Sequence, residues 1–203
     1  KINRRQFVRN LGLGTASLSM GSLISTSSCA PSGDSRDKRG KVSDDDQFLF
    51  IGDDIAIAQT EYGKVQGYLL NHVYTFLGVP YGADTSGKNR FMPPQKPEPW
   101  TDVRPAVFYG NTAPQRMENR WPNNYGTFAD HWNYWDVSED CLYLNVWTPG
   151  IADGKKRPVL VWLHGGGFTN GSGIEQDGYH GENISREGDI VFCSINHRLG
   201  PIG

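Results

Sequence analysis

The stretch that most constrains how this chain folds is residues 159–168, where a strongly apolar run ends in consecutive glycines. Five apolar residues, Val159–Leu163, predict a strand that is buried on both faces. His164 follows, and then three glycines at positions 165–167. Glycine lacks a Cβ, so the backbone can take unusual dihedral angles and a ligand can approach it closely. We therefore predict a ligand-binding loop at the carboxyl edge of an α/β sheet, where such sheets hold their ligands.

The glycine run itself admits three interpretations. Backbone N–H groups of Gly166 and Gly167 that point at one place could stabilise an oxyanion, and losing a donor of that kind costs about 3–4 kcal/mol. A flexible turn is the plain alternative. A phosphate-binding loop is disfavoured, because no Gly-Lys-Ser/Thr follows at the spacing of that motif. The strand and His164 before the glycines favour the first interpretation, since they resemble the oxyanion-hole motif of lipases and esterases.

The composition predicts a soluble globular domain with an acidic body. The chain has 203 residues, 37% of them hydrophobic, and a mean hydropathy of −0.54. The formal net charge is −2, and the first 30 residues contain only basic charges, so the remainder is more acidic than that. An acidic body argues against nucleic acid as a partner. No segment is long and apolar enough to predict a permanent membrane span.

Residues 1–30 are predicted to be an export signal. Residues 3–9, Asn-Arg-Arg-Gln-Phe-Val-Arg, are similar to a twin-arginine motif and precede a short, weakly apolar segment. A basic amphipathic helix is the alternative interpretation. Cys29 could carry a lipid anchor, whereas cleavage near Ala30 would leave none. We expect an exported protein, periplasmic or secreted.

Residues 31–46 predict a flexible polar linker, because they have almost no apolar area to bury. Residues 55–77 then alternate in polarity and predict a small antiparallel meander.

Four motifs in this order resemble the type-B carboxylesterase and cholinesterase family. They are residues 76–81 with 90–94, residues 139–147, residues 164–168 and residues 196–200. The resemblance implies that residues 47–203 are the N-terminal portion of a carboxylesterase-type α/β-hydrolase domain. In that α/β fold the small meander leads into a mixed, mostly parallel central sheet, of which this portion is incomplete.

The resemblance also implies local structure and the roles of individual residues. Segments 142–147, Val159–Leu163 and 190–195 would be strands of the sheet, with a short helix at 182–186. Gly166 and Gly167 would be the catalytic residues of this portion, as donors to the oxyanion. A buried ion pair with a structural role would form between Arg90 and Glu139.

The cysteines depart from the family pattern. Cys141 matches a residue that relatives often bridge to an upstream cysteine, but Ala113 stands at that upstream position. We therefore expect no disulfide there, with Cys141 and Cys193 as buried thiols. The loop at 117–139 is rich in aromatic residues, which could line the rim of a substrate gorge or pack on one another.

The sequence contains no Gly-x-Ser-x-Gly, the motif expected around the nucleophile of such an enzyme. Ser172 lacks that spacing. The chain is therefore interpreted as an N-terminal fragment of an exported serine carboxylesterase that acts on small, uncharged or weakly charged esters without metal or organic cofactor. A non-catalytic cholinesterase-like binding or adhesion domain and an inactive gene fragment are the alternatives. We expect the fragment alone to be inactive and poorly soluble, with its apolar strand open to aggregation.

Overall fold

The structure is a computed structural model that describes residues 48–115 and 136–203. The predicted export signal with Cys29, the predicted linker and the aromatic side chains at 121–135 lie outside the described residues.

Most of the described strands belong to one mixed sheet. In chain order the strands are β1 (Leu49–Phe50), β2 (Ile57–Gln59), β3 (Lys64–Gln66), β4 (Tyr68–Leu70), β5 (Val73–Pro80), β6 (Arg104–Pro105), β7 (Tyr143–Thr148), β8 (Val159–Leu163) and β9 (Val191–Ile195). The central sheet has the order β1-β4-β5-β7-β9-β8, and β2, β3 and β6 form a second, smaller sheet. One helix, α1 (Glu182–Gly188), connects β8 to β9. The mixed sheet is as predicted, although among the described strands of the central sheet only β8 and β9 pair in parallel.

The predicted meander is divided between the two sheets at Gly67. On one side of this residue β3 pairs with β2, and on the other side β4 pairs with β5. A Cβ at Gly67 would lie 2.0 Å from the carbonyl oxygen of Thr75, so only glycine allows this close crossing. The alternating polarity predicted these strands correctly. It did not predict the change of sheet, which depends on the close approach of Gly67 to Thr75.

A buried polar contact fixes the pairing of the two longest central strands. The register of β5 on β7 shifts between Phe76 and Val79, with Gly78 at a φ of +66° inside the shift. The Gly78 N–H donates to Asn145 Oδ1 at 3.0 Å, and Asn145 Nδ2 donates to Ser194 Oγ at 3.1 Å. The Asn145 side chain therefore ties β5, β7 and β9 together across the irregularity.

Strand β8 has the predicted bounds but not the predicted burial. All five of its residues are exposed among the described ones, from 37% for Trp162 to 64% for Val159. The cause is its position, because β8 lies at the edge of the sheet with β9 on one side. Helix α1 packs on β5, β7 and β9. The prediction of a strand covered on both faces is therefore wrong for this part of the molecule.

An ion cluster joins the start of β8 to the end of α1. The Arg157 guanidinium lies 2.7 Å from an Asp153 carboxylate oxygen and 2.8 Å from one of Asp189, and its side chain is only 7% exposed. The hydrogen bonds from Arg157 and from the Lys155 backbone lower the pKa of Asp153 to about 2. Asp189 ends α1 with a φ of +47°.

Across the described residues 48–115 and 136–203, every helix falls short of the length and hydropathy that a membrane span needs.

Candidate active site

The glycine loop begins where β8 ends, at the carboxyl edge of the β8–β9 pair. His164 is buried, whereas residues 165–169 are exposed. The loop closes on the Gly166 carbonyl oxygen, which accepts from the Thr169 N–H at 3.1 Å and the Asn170 N–H at 3.3 Å. Among the described residues the N–H groups of Gly166 and Gly167 donate no hydrogen bond. The predicted oxyanion donors are thus available to a ligand, and their role remains a prediction.

Gly166 and Gly167 need glycine for different reasons. Both have positive φ, +112° and +61°. A Cβ on Gly166 would lie 1.9 Å from the Asn170 carbonyl oxygen, whereas a Cβ on Gly167 would meet nothing within 4 Å. A side chain at Gly166 would therefore displace the loop, while one at Gly167 would only strain the backbone.

Two histidines follow the neighbouring strands and stack on each other. Parallel pairing places Leu163 opposite Ile195, so His164 and His197 come from adjacent strand ends. Their ring centroids are 4.5 Å apart, with an interplanar angle of 5°. His164 was predicted to lie beside the glycines, but nothing local in the sequence indicated that His197 would contact it.

The segment after the glycines is held by two side-chain amides. Gln115 accepts from the Gly171 N–H at 2.8 Å and donates to the Gly171 carbonyl at 3.0 Å. Asn196 Oδ1 accepts from the Gly173 N–H at 2.8 Å, and its Nδ2 donates to the Asn111 carbonyl at 2.9 Å. Both side chains support the loop, and sequence reasoning missed both. An amide directly after an apolar strand, as in Asn196, was the one available signal.

Ser172 is part of the packing of this segment. It is fully buried, and its N–H donates to the Glu175 carboxylate at 3.1 Å. The Glu175 side chain is itself buried. A serine enclosed in this way is closed to a substrate in the described structure.

Arg90 and Glu139 form the expected ion pair, but it is not buried. Arg90 Nε lies 2.9 Å and 2.8 Å from the two Glu139 carboxylate oxygens. The Arg90 side chain is 46% exposed. The hydroxyl of Thr85 also donates to the Glu139 carbonyl. Together, this hydrogen bond and the ion pair tether the loop after β5 to the segment that leads into β7. The predicted pairing is confirmed and the predicted burial is wrong.

Cys141 and Cys193 are free, buried thiols, as expected. Ala113 packs in one buried cluster with Cys141, so the position of the missing bridge is filled by apolar contact. Burial raises the pKa of the Cys141 thiol to about 12 and that of the Cys193 thiol to about 11. Neither cysteine is a nucleophile at neutral pH, because the reactive form is the thiolate.

One further feature, a cavity, lies away from the glycine loop. An apolar cavity of about 500 Å³ between the small sheet and the central sheet is lined by residues that include Phe76, Val79 and Val146. Within ranges 48–115 and 136–203, no group of three or more histidine, cysteine or acidic side chains is placed to hold a metal ion.

The mixed sheet, the β8–α1–β9 crossover and the glycine loop at the carboxyl edge define an α/β-hydrolase type of domain. A sequence model described as the carboxylesterase family matches residues 54–203. The chain belongs to the carboxylesterase family.

Similar proteins carry esterase names. The chain is 44% identical over 147 residues to phenmedipham hydrolase from Pseudarthrobacter oxydans, a match that covers 72% of this chain. It is 39% identical over 150 residues to para-nitrobenzyl esterase from Bacillus subtilis (strain 168), which again covers 72% of this chain. Among solved structures, an esterase from Clostridium hathewayi, described as able to hydrolyse aliphatic aromatic polyesters, superposes with a TM-score of 0.67 at 39% identity over 77% of this chain and 30% of the other.

The match spans a minority of each relative. It covers 29% of phenmedipham hydrolase and 28% of para-nitrobenzyl esterase.

Proposed function

We propose that the full-length protein is a serine hydrolase of carboxylic esters that works through an acyl-enzyme. One observation carries the proposal. Gly166 and Gly167 are exposed residues just beyond the carboxyl end of β8, and their N–H groups donate to no described residue. Peptide N–H groups held in this way are donors for an oxygen on which negative charge develops. Family membership supports the proposal, since the named relatives are ester-cleaving enzymes.

The proposed reaction has two halves. A serine hydroxyl adds to the ester carbonyl carbon, its proton passes to a general base, and the carbonyl oxygen becomes an oxyanion that accepts from the Gly166 and Gly167 N–H groups. The bond to the alcohol then breaks, and the base returns the proton to the leaving alcohol. Water repeats the steps on the acyl-enzyme and releases the acid. The serine, the base and the acid that orients the base would come from outside these 203 residues, and no metal or organic cofactor is required.

We propose small, uncharged or weakly charged carboxylic esters as substrates. The similarity to para-nitrobenzyl esterase makes a p-nitrobenzyl ester the natural first probe. The full-length protein should hydrolyse it and should be labelled at one serine by a fluorophosphonate. Prior treatment with an unlabelled fluorophosphonate should abolish both signals.

The competing proposal is a cholinesterase-like binding or adhesion domain without activity. The His-Gly-Gly-Gly sequence favours the enzyme, because a binding module has no need of oxyanion donors. A folded full-length protein that neither turns over esters nor reacts with the fluorophosphonate would favour the binding domain instead.

We further propose that the protein is exported, with residues 1–30 as a cleaved signal, residues 31–46 as a linker and the folded domain from residue 47. The paired arginines at 4 and 5 and the short apolar segment after them support this proposal. Mass spectrometry of the mature N-terminus tests it, with an Arg4→Lys, Arg5→Lys double variant as the control that should remain inside the cell. A mature chain that begins at Cys29 with an added lipid mass would indicate an anchor, and one that retains residues 1–30 would contradict export.

A further inference from the structure

Each of the two stacked histidines contacts the other ring and also hydrogen-bonds to the residue that follows it in the chain. His164 Nδ1 lies 2.7 Å from the Gly165 carbonyl oxygen, and His197 Nδ1 lies 2.9 Å from the Arg198 carbonyl oxygen. A carbonyl oxygen only accepts, so each Nδ1 carries the hydrogen that it donates. Each ring is therefore hydrogen-bonded to the residue that follows it, and the stack joins the segments that follow β8 and β9.

The segment after β9 contacts the far end of the glycine loop as well. The Gly200 N–H donates to the Phe168 carbonyl at 2.7 Å, and the Phe168 ring centroid lies 6.2 Å from that of His197. Phe168 has a φ of +59°. A bulky residue in the left-handed region is strained, and such a conformation persists only where neighbouring contacts hold it.

We infer that His197 is a positioning residue for the proposed oxyanion site. The glycines at 166 and 167 lie between His164 and Phe168, and His197 contacts both of these residues. Glycines have the widest backbone freedom, so the direction of their N–H groups depends on how the two ends of the loop are held. This inference rests on the proposed function, because it assigns His197 a task within the same site.

Two substitutions of His197 distinguish the effect of its ring stacking from that of its hydrogen bond. His197→Leu removes the planar face, whereas His197→Phe keeps a planar ring and loses only the Nδ1 contact. In the full-length protein we expect His197→Leu to lower kcat by about 10- to 100-fold, since small displacements of positioned groups cost that much. We expect KM of the leucine variant to stay within about threefold of the wild type, because ground-state binding does not depend on the oxyanion donors. We expect His197→Phe to regain most of the kcat that the leucine variant loses, because it keeps a planar ring to stack on His164.

A transition-state analogue gives a readout that a purely structural role would not move. A trifluoromethyl ketone adds to the serine and places an oxyanion at the proposed site. Its inhibition constant should rise in His197→Leu by the same factor by which kcat falls, and should be nearly unchanged in His197→Phe. His197→Gln, which is polar and non-aromatic, replaces the leucine variant if the latter does not fold.

Hydrogen exchange tests the positioning of the loop independently of activity. The Thr169 and Asn170 amides donate to the Gly166 carbonyl, so their exchange reports how well the loop is held. We expect faster exchange of both amides in His197→Leu and wild-type exchange in His197→Phe. If the wild type is inactive and still gives this pattern, the proposed function fails but the positioning role holds. Equal exchange in the wild type and the leucine variant, or equal losses of kcat in the leucine and phenylalanine variants, would overturn the inference.

Discussion

At the scale of single residues, the three glycines of the loop are not equivalent, and this makes a direct test possible. A Cβ at Gly166 would meet the Asn170 carbonyl at 1.9 Å, whereas a Cβ at Gly165 would meet nothing within 4 Å. Gly166 has a φ of +112°, while Gly165 does not have a positive φ. We predict that Gly166→Ala in the full-length protein lowers kcat by about 10²- to 10³-fold, because a displaced donor is lost to the oxyanion.

Gly165→Ala is the matched control and should leave kcat and KM near the wild-type values, measured as initial rates on a p-nitrobenzyl ester. The kcat of Gly167→Ala should lie between those of the Gly165 and Gly166 variants. Its Cβ would meet nothing within 4 Å, but alanine at a φ of +61° costs about 1–2 kcal/mol. Equal rates for the Gly165 and Gly166 variants would show that this loop does not carry the oxyanion donors.

The residues of the site differ in how far the sequence predicts them. The place of the loop with Gly166 and Gly167 was predictable because the strand, the histidine and the glycines are adjacent in the chain, whereas the role of these two glycines stays a prediction. The contacts of His197 and Asn196 were not predictable, because they depend on the register that sets Leu163 beside Ile195, and on loops distant in sequence. Likewise, the partner of Arg90 was predictable from the family pattern, whereas its exposure depends on the packing around it.

At the scale of the elements, Gly67 lies where the chain passes from the small sheet to the central sheet. The Gly67 N–H donates at 2.9 Å to the carbonyl of Ala56, which directly precedes β2 of the small sheet. A Cβ on Gly67 would lie 2.0 Å from the Thr75 carbonyl oxygen of β5 in the central sheet. We predict that Gly67→Ala lowers the free energy of unfolding by about 1–3 kcal/mol or more, the usual cost of overpacking. The measurement is urea unfolding of the full-length protein. Gly178→Ala, where a Cβ would meet nothing within 4 Å, is the control that should change stability little.

The Arg157 cluster predicts a dependence of stability on acid. Hydrogen bonds from Arg157 lower the pKa of Asp189 and, with a backbone bond, lower that of Asp153 to about 2. An aspartate with a folded pKa below its unfolded value of about 3.9 stabilises the fold above that value and loses the contribution as the pH falls through the folded pKa. The urea midpoint should therefore drop between about pH 4 and pH 2.

A double variant, Asp153→Asn with Asp189→Asn, should lose part of this drop, because its side chains no longer titrate. Asp102→Asn, at an exposed position away from the cluster, serves as the control and should keep the wild-type profile. Identical acid profiles for the wild type and the double variant would show that ionisation of Asp153 and Asp189 does not cause the loss of stability in acid.

At the scale of the whole molecule, strand β8 is where sequence and structure differ most. Its five apolar residues predicted burial, and the described residues leave all five exposed at a sheet edge. The bounds of the strand were predictable, because they follow from its own residues. Its burial was not, because burial depends on what packs against it, and the matched region makes up under a third of the named relatives.

The same substitution on β8 should therefore have opposite effects in two settings. In a purified segment of residues 48–203, Val161→Lys should reduce aggregation, because a charge on an open apolar edge blocks pairing with another chain. In the full-length protein, where we expect the rest of the chain to cover this strand, the same lysine should lower stability by about 2–4 kcal/mol, because it buries an unpaired charge. Light scattering of the segment and urea unfolding of the full-length protein measure the two effects. Val103→Lys, at an exposed valine outside both sheets, should alter neither. A full-length protein that tolerates Val161→Lys without loss of stability would mean that β8 stays an open edge in the complete molecule.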